Sequence, residues 1–409
     1  METVKNSGTF RAVIMTLGLL FALVILPSNA KAYAILIFGA AVFAHLLSRK
    51  WHFDWKFFLT NGLLFLLVGI TVLYSDNMDY AFKKLQSMAS LLVFPFIFAL
   101  FTKEEGKRIF RNITTYLWIY VIAVFLINVV PFIYFYATEY SWSEMVIHYA
   151  TVVRVKMGKF NVHPIYLSMH CSAAILFSFY IFRKLKSKWA IVLLLLMDIT
   201  FLTFLLYYAK KGPIIALIVV FSLFILFQYK KGYLRLYLLI VGALILLTLA
   251  IPKTRDRFVE LVKIENLSEG EVTSTNIRYT IYITAMEMVK RSPIGGYGIG
   301  DYNYVLQDQF KADGQKFLYE EHYNAHNQYL SMLLIGGIPL LLMFVIMFGL
   351  NMIYAIRFNN QLLILLIFFY SIVMFTENIL EREDGVIFFS FFLNFFALRS
   401  LYASEDSEE

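Results

Sequence analysis

Three stretches of this 409-residue sequence carry side chains able to do chemistry. The first is His322-Tyr-Asn-Ala-His326-Asn327-Gln328, which opens a long apolar run. An imidazole ordinarily titrates near neutrality, so it can take a proton from a hydroxyl group. His322 and His326 are four residues apart and on a helix would share a face. That spacing also suits a metal ion, but no third ligand with metal-like spacing is near, and no metal is expected. A histidine at a membrane interface can also simply be solvated.

The second stretch is 276–300. Residues 276–291 place Ile277, Ile281, Ala285 and Met288 at helical spacing, with Asn276 as the expected N-cap and Arg278 and Tyr282 on the neighbouring face. Ser292-Pro293-Ile294-Gly295-Gly296-Tyr297-Gly298-Ile299-Gly300 follows and cannot be helix or ordinary strand. It is either a tight surface turn or a backbone that approaches an anion, since glycines such as Gly296 and Gly298 leave N–H groups uncovered. The spacing is not that of a dinucleotide fingerprint, and no strand precedes it. The third stretch is Lys210-Lys211-Gly212-Pro213, a short linker between apolar runs. Its lysines either reach lipid headgroups or set one cation into the protein, where a charge is expensive and usually has a purpose. Two cationic elements and one base suit the phosphate or pyrophosphate of a membrane lipid. Neither an aspartate-rich Mg²⁺ motif nor a Walker loop faces that side, so no metal, nucleotide or other cofactor is expected.

What must position these residues is a membrane protein. The chain is 60% hydrophobic and 16% charged, with mean hydropathy +0.68; a soluble domain is about 25% charged. A soluble enzyme, a disordered chain and an outer-membrane barrel are excluded. One cysteine, Cys171, excludes an intrachain disulfide and a cysteine-based zinc site. The net charge of +8 fits basic loops on the cytoplasmic side, and no nucleic-acid partner is expected. Apolar runs fall near 11–27, 31–47, 57–74, 85–101, 112–136, 163–182, 189–208, 212–228, 234–251, 326–350, 361–379 and 385–402. The expected fold is thus an all-α polytopic membrane protein of about twelve transmembrane helices, the fifth ending in a kink at Pro131. Residues 1–251 hold helices one to nine, 252–325 a large periplasmic loop domain, and 326–409 helices ten to twelve with a cytoplasmic tail. Lys and Arg crowd loops such as 49–56, 103–111 and 183–188 and are sparse in the alternate short loops, which puts both termini in the cytoplasm. The first span follows Lys5 and Arg11 like a secretory signal, but it is long enough to remain as a helix.

His326-Asn327, nine residues, then Gly337 resembles the motif of the O-antigen ligase family, which also takes in the O-antigen polymerases. Arg278 followed by the amphipathic helix and RSPIGGYGIGDYNY is similar to that family too, as is a layout of twelve spans with a large loop between the ninth and tenth. The firm likeness covers about 276–340. Family members commonly carry an arginine in the outer linker between spans seven and eight; here Lys210-Lys211 fills the slot, without the bidentate fork. The resemblance implies a metal-independent, inverting glycosyltransferase of the GT-C type in the bacterial inner membrane, acting on its periplasmic face in lipopolysaccharide biosynthesis. Its donor would be an undecaprenyl pyrophosphate-linked glycan, its acceptor lipid A–core or another glycan, with membrane lipids around it. His326 would be the catalytic base and Asn327 would orient it. Arg278, Lys210, Lys211, Gly296 and Gly298 would bind the pyrophosphate, with His322, Tyr282 and His163 in supporting places. A polymerase shares this donor chemistry, and a carrier of lipid-linked sugars is the alternative from another class.

Overall fold

The computed structural model describes residues 8–228 and 272–402, with positions 242, 246, 255, 256 and 259 between them. Apart from those positions, the expected ninth span, 234–251, and the start of the expected loop domain lie outside the described residues. Among the described residues there is no strand, and most are helical. Six helices are long and apolar enough to cross a membrane: Ser28–Leu46, Trp55–Tyr74, Ile113–Thr138, Pro164–Phe182, Lys188–Tyr208 and Gln328–Arg357. Met78–Met88 and Ser90–Ala99, bent by 41° at their junction, make a seventh if they are one span. Gly8–Phe21 and Gln361–Val373 are apolar but shorter. The protein is a multi-pass membrane protein, with six or seven such spans among the described residues where the sequence predicts about twelve.

The described residues form two compact units. One lies within 1–53, 100–253 and 402–409, the other within 54–99 and 254–401. In the first, α1 (Gly8–Phe21) packs on α2 (Ser28–Leu46). Later in the same unit come α6 (Lys103–Arg111), α7 (Ile113–Thr138), α8 (Trp142–Lys156), α9 (Pro164–Phe182), α10 (Lys188–Tyr208) and α11 (Lys211–Gln228). The second unit begins with α3 (Trp55–Ile70), α4 (Met78–Met88) and α5 (Ser90–Ala99). The centre of the first unit is α9, most of whose residues are buried, against α7, α10 and α11. Span five does not end at Pro131 as expected: α7 runs on through it to Thr138. Proline's fixed φ is compatible with helix, and the lost N–H is tolerated in an apolar helix with neighbours.

The second unit continues with α12 (Ser274–Arg291), α13 (Tyr302–Ala312), α14 (Lys316–Glu320), α15 (Gln328–Arg357), α16 (Gln361–Val373) and α17 (Glu383–Tyr402). As the spacing predicts, Ile277, Ile281, Ala285 and Met288 of α12 are buried. Its N-cap, however, is Thr273, whose side chain accepts from the Asn276 amide at 3.1 Å; Asn276 is inside the first turn and buried. Lys290 and Arg291 close the helix where its dipole favours cations.

Helix α15 is broken. Gly336 and Gly337 leave helical geometry, Gly337 at φ 66°. The sequence explains the break. Pro339 has no N–H for the Ile335 carbonyl, and the Ile338 amide donates elsewhere, to Pro293 O at 2.7 Å. The carbonyls so released, on Leu334 and Ile335, accept from the amides of Tyr297 and Gly298 at 2.7 and 2.9 Å. The glycine-rich turn therefore docks into the break. Its other side meets the segment after α3: Thr71 Oγ1 accepts from Ile299 N and Ser75 Oγ from Gly300 N, both at 3.0 Å, and Asp301 accepts from Asp76 N. This corrects the expectation that Gly296 and Gly298 offer amides to a pyrophosphate. The Gly296 amide donates to Ser292 O at 3.2 Å, and that of Gly298 is used at the break. These glycines are there for close approach. A Cβ at Gly296 would lie 2.7 Å from the Gly336 nitrogen, and one at Gly337 2.3 Å from Ile294 O.

Gly295 is adjacent but faces open space, with nothing within 4 Å of an added Cβ. It supplies the control. Gly296→Ala and Gly337→Ala, both at positive φ, are expected to lose about 1–3 kcal/mol of stability, read as a lowered Tm in detergent. Gly295→Ala should match the wild-type protein. Equal Tm values for all three would show that the turn is not packed into the break.

Candidate functional site

Site residues of the second unit gather where α12, the start of α15 and the segment after α16 meet. Arg278 projects from α12, and its Nη2 donates to Glu377 Oε1 at 2.8 Å. The other oxygen of the same carboxylate, Oε2, lies 3.6 Å from His326 Nδ1. One carboxylate thus binds a guanidinium and faces an imidazole whose Nδ1 has no hydrogen-bond partner. Both groups are partly exposed, Arg278 by 25% and His326 by 27% of the side chain, so they are accessible from outside the protein. Arg278 Nε is itself buried without a hydrogen-bond partner. A guanidinium has five N–H donors in a planar fork, and this one retains donor capacity beyond Glu377.

His326 does not lie on a helix. It occupies the residue before the N-cap of α15, in a left-handed backbone at φ 43°. Its N–H donates to Asn324 Oδ1 at 3.1 Å, and its carbonyl accepts from the Tyr282 hydroxyl, also at 3.1 Å. The ring packs on Tyr323 at 5.6 Å between centroids. Tyr282, one turn along α12 from Arg278, also donates to Phe375 O at 2.5 Å. Burial outweighs the opposing pull of Arg278 and, with a smaller push from Glu377, raises its phenol to about 12. It stays protonated, and its single proton is shared between the two carbonyls. Asn327 caps α15: its Oδ1 accepts from Tyr329 N at 2.9 Å and Leu330 N at 3.1 Å. It fixes the helix start beside His326, with its side-chain oxygen turned to the helix amides. His322 is exposed and also left-handed, at φ 51°, so the two histidines do not share a helix face. Among the described residues no three His, Cys, Asp or Glu side chains come together as a metal set.

The remaining sequence-predicted residues belong to the first unit. Ala209 ends α10 in a left-handed cap, and Lys210 and Lys211 follow it. Lys211 is 8% exposed and starts α11, whereas Lys210 is partly exposed. The lysine pair is therefore split, one side chain within the protein and one nearer its surface. His163 is the N-cap of α9, accepting from Ile165 N at 3.4 Å, ahead of Pro164. That is a structural role for its ring.

Sequence reasoning missed Glu377. A signal is there: Glu377, near the end of the run 361–379, and Glu381, just after it, stand four apart on the side assigned to the site. Glu381 is 5% exposed and accepts from Ser331 Oγ at 2.8 Å and Asn378 Nδ2 at 2.7 Å.

No curated protein matches the sequence. Residues 196–345 match the family model described as O-antigen ligase. The matched stretch holds Lys210, Lys211, Arg278, His326, Asn327 and Gly337 and ends before Glu377. Over that stretch, the chain is similar to the O-antigen ligase family.

Proposed function

We propose that the protein is a glycosyltransferase that moves a glycan from undecaprenyl pyrophosphate to a sugar hydroxyl of lipid A–core, on the periplasmic face of the bacterial inner membrane. The observation that carries this reading is the shared carboxylate: Glu377 holds Arg278 and faces His326. An anion-binding fork and a base stand side by side, as a displacement from a pyrophosphate requires, within a membrane protein of a family that handles such donors. Glu377 faces Nδ1 and so favours a proton there, which leaves Nε2 to take the proton of the acceptor hydroxyl. The acceptor oxygen forms a bond to the anomeric carbon while the bond to the pyrophosphate oxygen breaks. The electron pair leaves on the phosphate, whose growing charge the Arg278 guanidinium stabilises. A single displacement inverts the anomeric centre. The pyrophosphate competes with Glu377 for Arg278. Once Arg278 turns to the donor, the carboxylate is left to the imidazole.

Purified protein supplied with undecaprenyl pyrophosphate-linked oligosaccharide and lipid A–core tests the acceptor. Glycosylated lipid A–core supports a ligase, and lengthened lipid-linked oligosaccharide would replace that reading with a polymerase. Movement of the lipid-linked sugar across a vesicle membrane with neither product would point to a carrier. His326→Ala should lower kcat by at least about 10²-fold, the scale of general base catalysis, with donor KM little changed. Arg278→Lys keeps the charge without the fork and should be impaired; Arg278→Ala should be worse. Transfer by a folded His326→Ala protein at the wild-type rate overturns the base assignment.

Burial singles out Lys211 as the lysine we assign to the donor. Lys211→Ala should depress transfer and Lys211→Arg preserve it, while Lys210→Ala is close to silent. Full activity in a Lys210→Ala/Lys211→Ala double variant removes both from the mechanism.

The cationic assistance is assigned to side chains, so transfer should continue in EDTA. Loss of activity in chelator, restored by added Mg²⁺ or Zn²⁺, would transfer that role to a metal.

A further inference from the structure

His326 owes its placement to a buried polar cluster that contacts no proposed substrate group. The Asn324 side chain sits between two partners. Its Oδ1 accepts the His326 amide at 3.1 Å, and its Nδ2 donates to Glu381 Oε2 at 3.4 Å. Glu381 is buried among donors, with Ser331 and Asn378 on Oε1 and Lys84 Nζ of α4 3.5 Å from Oε2. Lys84 supplies the countercharge from another helix, its ammonium 5.4 Å above the Tyr80 ring. A buried carboxylate needs such partners, or it is costly.

An amide side chain has a donor end and an acceptor end of nearly equal shape. Only the neighbours decide which way it points. A carboxylate beside Asn324 accepts and does not donate, so Nδ2 must face Glu381. Oδ1 is thereby turned toward His326 N–H. That bond, together with the Tyr282 hydroxyl on the His326 carbonyl, holds a left-handed backbone that a non-glycine residue seldom adopts. We propose that Asn324 and Glu381, countercharged by Lys84, are positioning residues that set the orientation of His326 for proton transfer. The inference rests on the reading of His326 as the base.

The test uses charge complementarity. Asn324→Asp sets a carboxylate against Glu381 and repels it. Asn324→Asp with Glu381→Gln restores one donor and one acceptor across the same gap, and the introduced carboxylate still accepts the His326 amide. Transfer is measured on the full-length protein with undecaprenyl pyrophosphate-linked oligosaccharide and lipid A–core. The single variant should lose about 10²-fold in kcat, the cost of roughly 1 Å of misplacement. Donor KM should stay within about twofold, because Arg278 is outside the cluster. The double variant should recover to within about tenfold of wild type. A merely structural cluster would shift Tm without this split between kcat and KM and without recovery. A second readout needs no substrate: the rate at which diethyl pyrocarbonate modifies His326, followed by mass spectrometry, should change in Asn324→Asp and return in the double variant. A wild-type kcat and modification rate in Asn324→Asp, or a double variant no better than the single one, overturns the proposal. His326→Ala separates the two levels: if it is inactive while Asn324→Asp is fully active, only the positioning role falls. If His326→Ala is active, the base reading falls and the positioning role with it.

Discussion

The second unit depends on a helix that is not allowed to continue. Pro339 cannot donate to Ile335, and Gly337 takes a backbone angle closed to other residues without strain, so α15 stops being helical after two turns. Backbone carbonyls released inside an apolar structure must find donors within the protein. They find them in the turn that ends α12, whose amides on Tyr297 and Gly298 complete the break. The first two turns of α15 are therefore pinned at both ends, by Asn327 at the start and by the turn at the break. Because that turn is the continuation of α12, the helix bearing Arg278 and Tyr282 is tied to the helix that begins beside His326. The nine residues between Asn327 and Gly337 set the length of this pinned piece.

On that frame the electrostatics are simple. A guanidinium and an imidazole in the same corner repel if both are charged. Glu377 relieves this by facing both, with a hydrogen bond to Arg278 at 2.8 Å and a longer approach to His326 at 3.6 Å. The shorter contact is with the permanent cation. The difference suits the proposed roles: Arg278 carries charge throughout, whereas His326 changes protonation during the reaction. Tyr282 belongs to the same corner but acts through the backbone, since its one hydroxyl proton is shared between two carbonyls.

How much of this is legible in the sequence follows from the range of the interactions. Helical periodicity is local, so the buried face of α12 and the apolar runs can be read directly. The glycine turn reads as irregular, correctly, but its purpose is not visible, because Ile335 and Gly336 lie far along the chain. Asn276 and Thr273, three residues earlier, are both residue types that cap helices, and the structure uses Thr273. The proline in α7 predicts the end of a span, but an apolar helix with packed neighbours runs on through it. Glu377 escapes notice because its importance lies wholly in two partners from other elements. A pair of histidines at helical spacing suggests a helix, and only the left-handed backbone at both positions excludes it.

That backbone has a consequence for the choice of residue at 326. A left-handed conformation costs a non-glycine residue roughly 1–2 kcal/mol, and histidine is among the residues that tolerate it best. Two hydrogen bonds to the residue's own N–H and C=O, from Asn324 and Tyr282, are each worth about 0.5–1.5 kcal/mol net. The two terms are of equal size, so the conformation is held but not deeply. Glycine would remove the strain and the imidazole together. Histidine retains the imidazole, and its backbone geometry then rests on neighbours from α12 and from the loop itself. A strained residue persists only where its surroundings over-determine it. Here the surroundings also aim the ring at the carboxylate that holds Arg278, so the hydrogen bonds that offset the strain are the ones that assemble the site.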